Sequence, residues 1–99
     1  MTRVTLREDK GRYSVICEGH AVGSVEVCAA VSTLVYTLLG WLKNSSDVVV
    51  EKEELADGYA EIEFFGDVSA RVAFDLVYIG FLQLAQAKSN FIEIFLEKF

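Results

Sequence analysis

The chain has 99 residues, 53% of them hydrophobic, with 15 acidic and 9 basic side chains and a net charge of −6. That length suits one small domain, and the acidic balance argues against direct binding to nucleic acid, whose phosphates need Lys and Arg. No early stretch joins a basic flank to a signal-type apolar run, and the longest apolar run, residues 28–42, falls short of the roughly 20 residues a bilayer crossing needs, so a soluble, cytoplasmic protein with no membrane segment is expected.

In that setting the two cysteines are expected as free thiols. The apolar excess implies a well-filled core, a buried subunit interface, or both. "RVTLRE" alternates, with Val4 and Leu6 on one side and Thr5 and Arg7 on the other. After a "DKG" turn, "RYSVICE" alternates again, with Tyr13, Val15 and Cys17 opposed to Ser14, Ile16 and Glu18. The two runs predict a hairpin with Cys17 as a small core residue. Residues 19–23 break the pattern. Ser24 then has the chemistry of a helix N-cap, with Glu26 in the first turn where the dipole favours negative charge.

The helix is expected to run to about Leu42. Its apolar residues, Val27, Val31, Leu34, Val35, Leu38, Leu39 and Trp41, lie nearly all round it. Such a helix is expected to be buried on every side, so a second covering surface is predicted: the other helix, or a symmetry-related subunit. "KNSS" is a loop, and "DVVVEKEE" and "YAEIEFF" form a second hairpin around "ADG", with Ala60, Ile62 and Phe64 inward and Glu61 and Glu63 outward. Between Asp47 and Asp67 stand eight acids and one base, Lys52. This is either a solvated hairpin that aids solubility or a face that steers a basic partner. Asp67 or Ser69 caps a second helix carrying Val72, Leu76, Ile79 and Leu84 and ending near Lys88. "FIEIFLEKF" alternates after a "SN" break and reads as a closing strand. The expected fold is a single α+β domain over residues 1–99. Its order is β-β-α-β-β-α-β, a mainly antiparallel sheet with two helices on one face.

The chemistry gathers in "EGHAVGSVEVCAAVS", residues 18–32, which holds the one histidine and one of the cysteines. A helix N-terminus favours the thiolate, the nucleophilic form of cysteine, and first-turn N–H groups can stabilise an oxyanion. Cys28 sits near such a start, and His20 at the end of the preceding strand could fold back as its base. Gly19, Ala21, Gly23, Ala29 and Ala30 leave room for a substrate backbone. Ser32, one turn beyond Cys28, either orients the site or bonds back to a helix carbonyl. From spacing alone, a catalytic pair, a structural pair and a metal site using Cys17, His20 and Cys28 all remain open; the last lacks a fourth ligand. No cofactor motif is present.

"GHA" at residues 19–21 followed by "VCAAVS" at 27–32 resembles the signature of the ribosomal-processing cysteine proteases, the Prp family. "LVYIGFLQLAQ" at 76–86 and "FIEIF" at 91–95 resemble its second helix and closing strand. The resemblance spans nearly the whole chain. It implies a homodimeric protease with His20 and Cys28 as catalytic residues. It also implies a substrate loop over Val22, Gly23, Ser24, Val25 and Glu26. The implied substrate is a basic ribosomal protein from which an N-terminal extension is removed. Neither metal nor cofactor is implied. In this chain the segment between His20 and Cys28 is shorter than in the family, and Val25 stands where the family tends to carry aspartate. Glu26 would disfavour a thiolate nearby by like-charge repulsion. These departures suggest an alternative, a weak or inactive paralogue acting as a binding module. A redox-responsive thiol protein is a third, minor reading.

Overall fold

The computed structural model describes residues 1–21 and 23–99; Val22, expected in the substrate loop, lies outside the described residues. The elements follow the expected order: β1 (Thr2–Asp9), β2 (Arg12–Glu18), α1 (Val25–Lys43), β3 (Val48–Ala56), β4 (Tyr59–Gly66), α2 (Val68–Ala87) and β5 (Ile92–Lys98). They build one five-stranded sheet in the spatial order β3-β4-β2-β1-β5. Three of the four pairings are antiparallel, and β5 runs parallel to β1, with Thr2 opposite Ile92. The parallel pair follows from the helix. Strands β1 and β4 point the same way, and α2 carries the chain back across the sheet to start β5 in that direction.

The two helices pack on one face of the sheet. Val4, Leu6, Val15, Ile62, Phe64 and Ile92 point at them and are almost fully buried. Tyr13 stacks on Phe64 with ring centroids 5.4 Å apart and lies 5.0 Å from Phe74 of α2. Helices α1 and α2 meet closely at Gly80, where a Cβ would stand 2.7 Å from the end of the Leu34 side chain and push it aside. The Ser24 hydroxyl accepts from the Val27 amide at 3.2 Å, the expected cap. At the start of α2, Asp67 occupies the cap position without a side-chain bond, and the Ser69 hydroxyl donates to Asp47 instead.

Within one chain, Val27, Val35, Leu38, Leu39 and Leu42 of α1 face the core, while Tyr36 and Trp41 are left exposed. Helix α2 turns Ala70, Ala73, Phe74, Val77 and Phe81 inward and leaves Val72, Leu76 and Ile79 exposed. The sequence offers two apolar stripes, and the sheet takes the one with the two phenylalanines because it buries more area. Both helices are long and apolar enough to cross a bilayer by length and composition, yet each lies with one side against the sheet. On the edge strand β3, a bulge shifts the register between Val50 and Lys52.

Candidate active site

The antiparallel register of β2 on β4 places Glu18 opposite Tyr59. Extended by two residues, it sets Gly19 opposite Gly58 and His20 opposite Asp57, the turn of the β3–β4 hairpin. The extension is real: the Gly19 amide donates to the Gly58 carbonyl at 2.8 Å. His20 therefore leaves β2 against that turn, with its Nε2 3.8 Å from Asp57 Oδ1. Gly58 has a φ of +72°, and a Cβ there would lie 2.7 Å from Nε2, so the imidazole rests where any other residue's side chain would stand.

Cys28 approaches from the opposite wall, in the first turns of α1. It is half-buried, and its Sγ points to the Ala21 carbonyl at 3.8 Å. Its own amide donates to the Ser24 carbonyl at 3.3 Å. The oxyanion donors expected at the helix start therefore exclude Cys28 N–H and Val27 N–H, which is taken by the Ser24 hydroxyl; Val25 and Glu26 head the helix without helical acceptors.

A cavity of about 590 Å³ joins these parts. Both His20 and Cys28 line it, together with Gly19, Ser32, Tyr36 and the Asp57–Gly58 turn. Ser32 thus opens on the cavity; the back-bond to a helix carbonyl is made by Thr33, whose hydroxyl donates to Ala29 O at 2.8 Å. Ala29 is exposed and stands outside the cavity lining. Of the expected substrate loop, Gly23 lies beside the Phe91 ring, Ser24 is the helix cap, Val25 is exposed, and Glu26 pairs with Lys88 at 3.2 Å. That pairing supplies Glu26 with a counter-charge at the C-terminal end of α2.

Cys17 also reaches the cavity but belongs to the core, and burial pushes its thiol up to about 12. Among the described residues, no group of three His, Cys, Asp or Glu side chains could hold a metal ion. Tyr59, another cavity residue, donates its hydroxyl to Glu61 at 2.6 Å; that bond first, then burial, raises the phenol to about 12. Glu61 is held below the usual carboxylate range by the same bond and by Lys52.

Much of the acidic hairpin is answered inside the chain. Glu51 and Glu63 meet Arg12 at 3.8 and 2.5 Å, Glu53 meets Lys43 at 3.0 Å, and Glu61 meets Lys52 at 3.0 Å. The part of the site that sequence reasoning missed is Asp57. Its only signal was the "DG" turn, and nothing local tells that this turn will face the histidine until β4 is paired with β2.

Comparisons with known proteins bear on the family and the fold. The family model of cysteine protease Prp matches residues 1–93. The crystal structure of SMU.848 from Streptococcus mutans superposes with a TM-score of 0.78 at 30% identity, covering 100% of this chain and 96% of that one. The essential ribosomal processing protease Prp from S. aureus, in complex with a covalently linked product peptide, gives a TM-score of 0.83 at 17% identity, covering 97% and 99%. The same protease with a substrate peptide gives 0.75 at 18% identity over the same shares. No curated protein matches the sequence.

Proposed function

The chain belongs to the Prp family of cysteine proteases, and on that premise we propose that Cys28 and His20 are its catalytic dyad and that it trims the N-terminal extension of a basic ribosomal protein. The observation that carries the reading is that one cavity is lined by both a half-buried thiol at a helix start and the one imidazole of the chain. The S. aureus relative is described with a covalently linked product peptide, which supports a covalent route.

In that route His20 takes the proton of the Cys28 thiol, and the thiolate attacks the scissile carbonyl. The Val25 and Glu26 amides, which have no helical acceptor, are the first-turn donors left to serve the developing oxyanion. The C–N bond breaks, and His20 returns the proton to the leaving amine. A water molecule, deprotonated by His20, then attacks the thioester; the acid product leaves and the proton returns to sulfur.

The test is incubation with the host's extended ribosomal protein and mass measurement of the products. Two fragments are expected from the native chain and none from Cys28→Ala; unchanged cleavage by Cys28→Ala overturns the reading. The proposal includes a cytoplasmic homodimer. Trp41, Val72, Leu76 and Ile79 make an exposed apolar surface on α1 and α2 larger in character than scattered single residues, and a second copy is its proposed cover. Sedimentation should give a dimer that Leu76→Glu dissociates; a monomeric native chain overturns this part.

A further inference from the structure

We propose that the Asp57–Gly58 turn is the positioning element for His20, Gly58 seating the imidazole and Asp57 taking its Nε2–H, so that Nδ1 is the nitrogen that receives the Cys28 proton. The inference rests on the dyad reading and adds the residue that orients the base. A dyad histidine needs one nitrogen held so that the other is aimed, and a carboxylate opposite the held nitrogen also stabilises the imidazolium formed when the thiol ionises.

Three observations converge on this turn. Asp57 is the only carboxylate lining the cavity among the described residues. Its Oδ1 stands 3.8 Å from Nε2, an ion-pair separation that a small rotation of its exposed side chain shortens to a hydrogen bond; unliganded sites often show such contacts long. The backbone under the ring is fixed independently by the Gly19 amide on the Gly58 carbonyl at 2.8 Å, and the missing Cβ at Gly58 leaves the room that the imidazole occupies. Glu26, the acid nearer to Cys28 in sequence, is held by Lys88 at 3.2 Å.

The test uses iodoacetamide, a neutral probe that reads the Cys28 thiolate without a substrate. The variants are Asp57→Ala, Asp57→Asn, Asp57→Glu, His20→Ala and the Asp57→Ala/His20→Ala double. The Asp57 side chain is fully exposed, so each Asp57 variant should melt like the native chain. Asp57→Ala and Asp57→Asn are expected to slow Cys28 alkylation at pH 7 about fivefold, the worth of one unit charge at this separation in near-aqueous surroundings. Asp57→Glu is expected to recover most of the rate. His20→Ala should slow it at least as much, and the double variant no further, because Asp57 acts through the histidine. Native-rate alkylation in Asp57→Ala, or a loss that adds to that of His20→Ala, overturns the positioning role alone. Native-rate alkylation in His20→Ala overturns it together with the dyad. A chain that shows the expected pattern but cuts no extended ribosomal protein keeps the positioning role and loses the proposed substrate.

Discussion

Cys17 and Cys28 border the same cavity, and their surroundings make them different reagents. Cys17 lies in β2 on its inward side, packed among core residues that keep it neutral; burial alone raises its thiol to about 12. Cys28 stands at the start of a helix, half-buried, with an imidazole across the cavity. The lesson is that a thiol's chemistry is assigned by the backbone element that ends or begins beneath it. A strand interior gives it neighbours without charge, and a helix start gives it oriented N–H groups.

Four experiments break or sharpen this contrast. The largest effect is expected from exchanging the thiols one at a time. Cys28→Ala should lower peptide cleavage by about 10³-fold or more with an unchanged melting curve. Cys17→Ala should keep cleavage near native while losing about 1 kcal/mol of stability, the cost of a small core cavity. A reversal of the two outcomes in a denaturation and cleavage assay would exchange their roles.

Next, iodoacetamide applied to the folded chain should label Cys28 and spare Cys17 until denaturant is added; peptide mapping of the adducts decides it. Early labelling of Cys17 would mean the sheet end opens readily.

The third effect concerns pH. The folded Cys17 thiol titrates near 12 against 9.0 for an ordinary thiol. The unfolded chain therefore releases its proton first. Stability from this group is whole below pH 9.0 and falls as pH rises from there toward about 12. Denaturant midpoints measured across that window should decline less steeply in Cys17→Ala than in the native chain.

The smallest effect belongs to Lys88. Its pair with Glu26 is solvent-exposed, so Lys88→Ala should slow Cys28 alkylation about twofold at most. A much larger loss would mean that the pair holds the helix start itself.

The alternation of "RVTLRE", "RYSVICE" and "FIEIFLEKF" made the strands legible because period two survives in any sheet with one covered face. Ser24 was legible as a cap because its bond to Val27 is local. His20 and Cys28 stood out because the chemistry of their residue types and the strand–helix junction between them are both written in consecutive residues. What was not legible depends on partners distant in sequence. The apolar stripe of α2 chosen by the sheet, with Phe74 and Phe81 inward and Leu76 outward, could not be ranked from periodicity alone. The parallel pairing of β5 with β1 required the direction of the α2 crossover. Asp57 was visible only as a turn residue, and its approach to His20 follows from a strand register set by side chains some forty positions away in the sequence.

The bulge between Val50 and Lys52 gives the molecule a direction in which it cannot grow. A flat outer strand would offer its free amides and carbonyls to the next chain as a template. Here the ladder is broken midway, and Glu51, Lys52, Glu53 and Glu54 crowd the same margin with charge. An apolar-rich chain with exposed helical flanks is thereby barred from stacking sheet upon sheet through β3. On that margin the fold sheds neighbours.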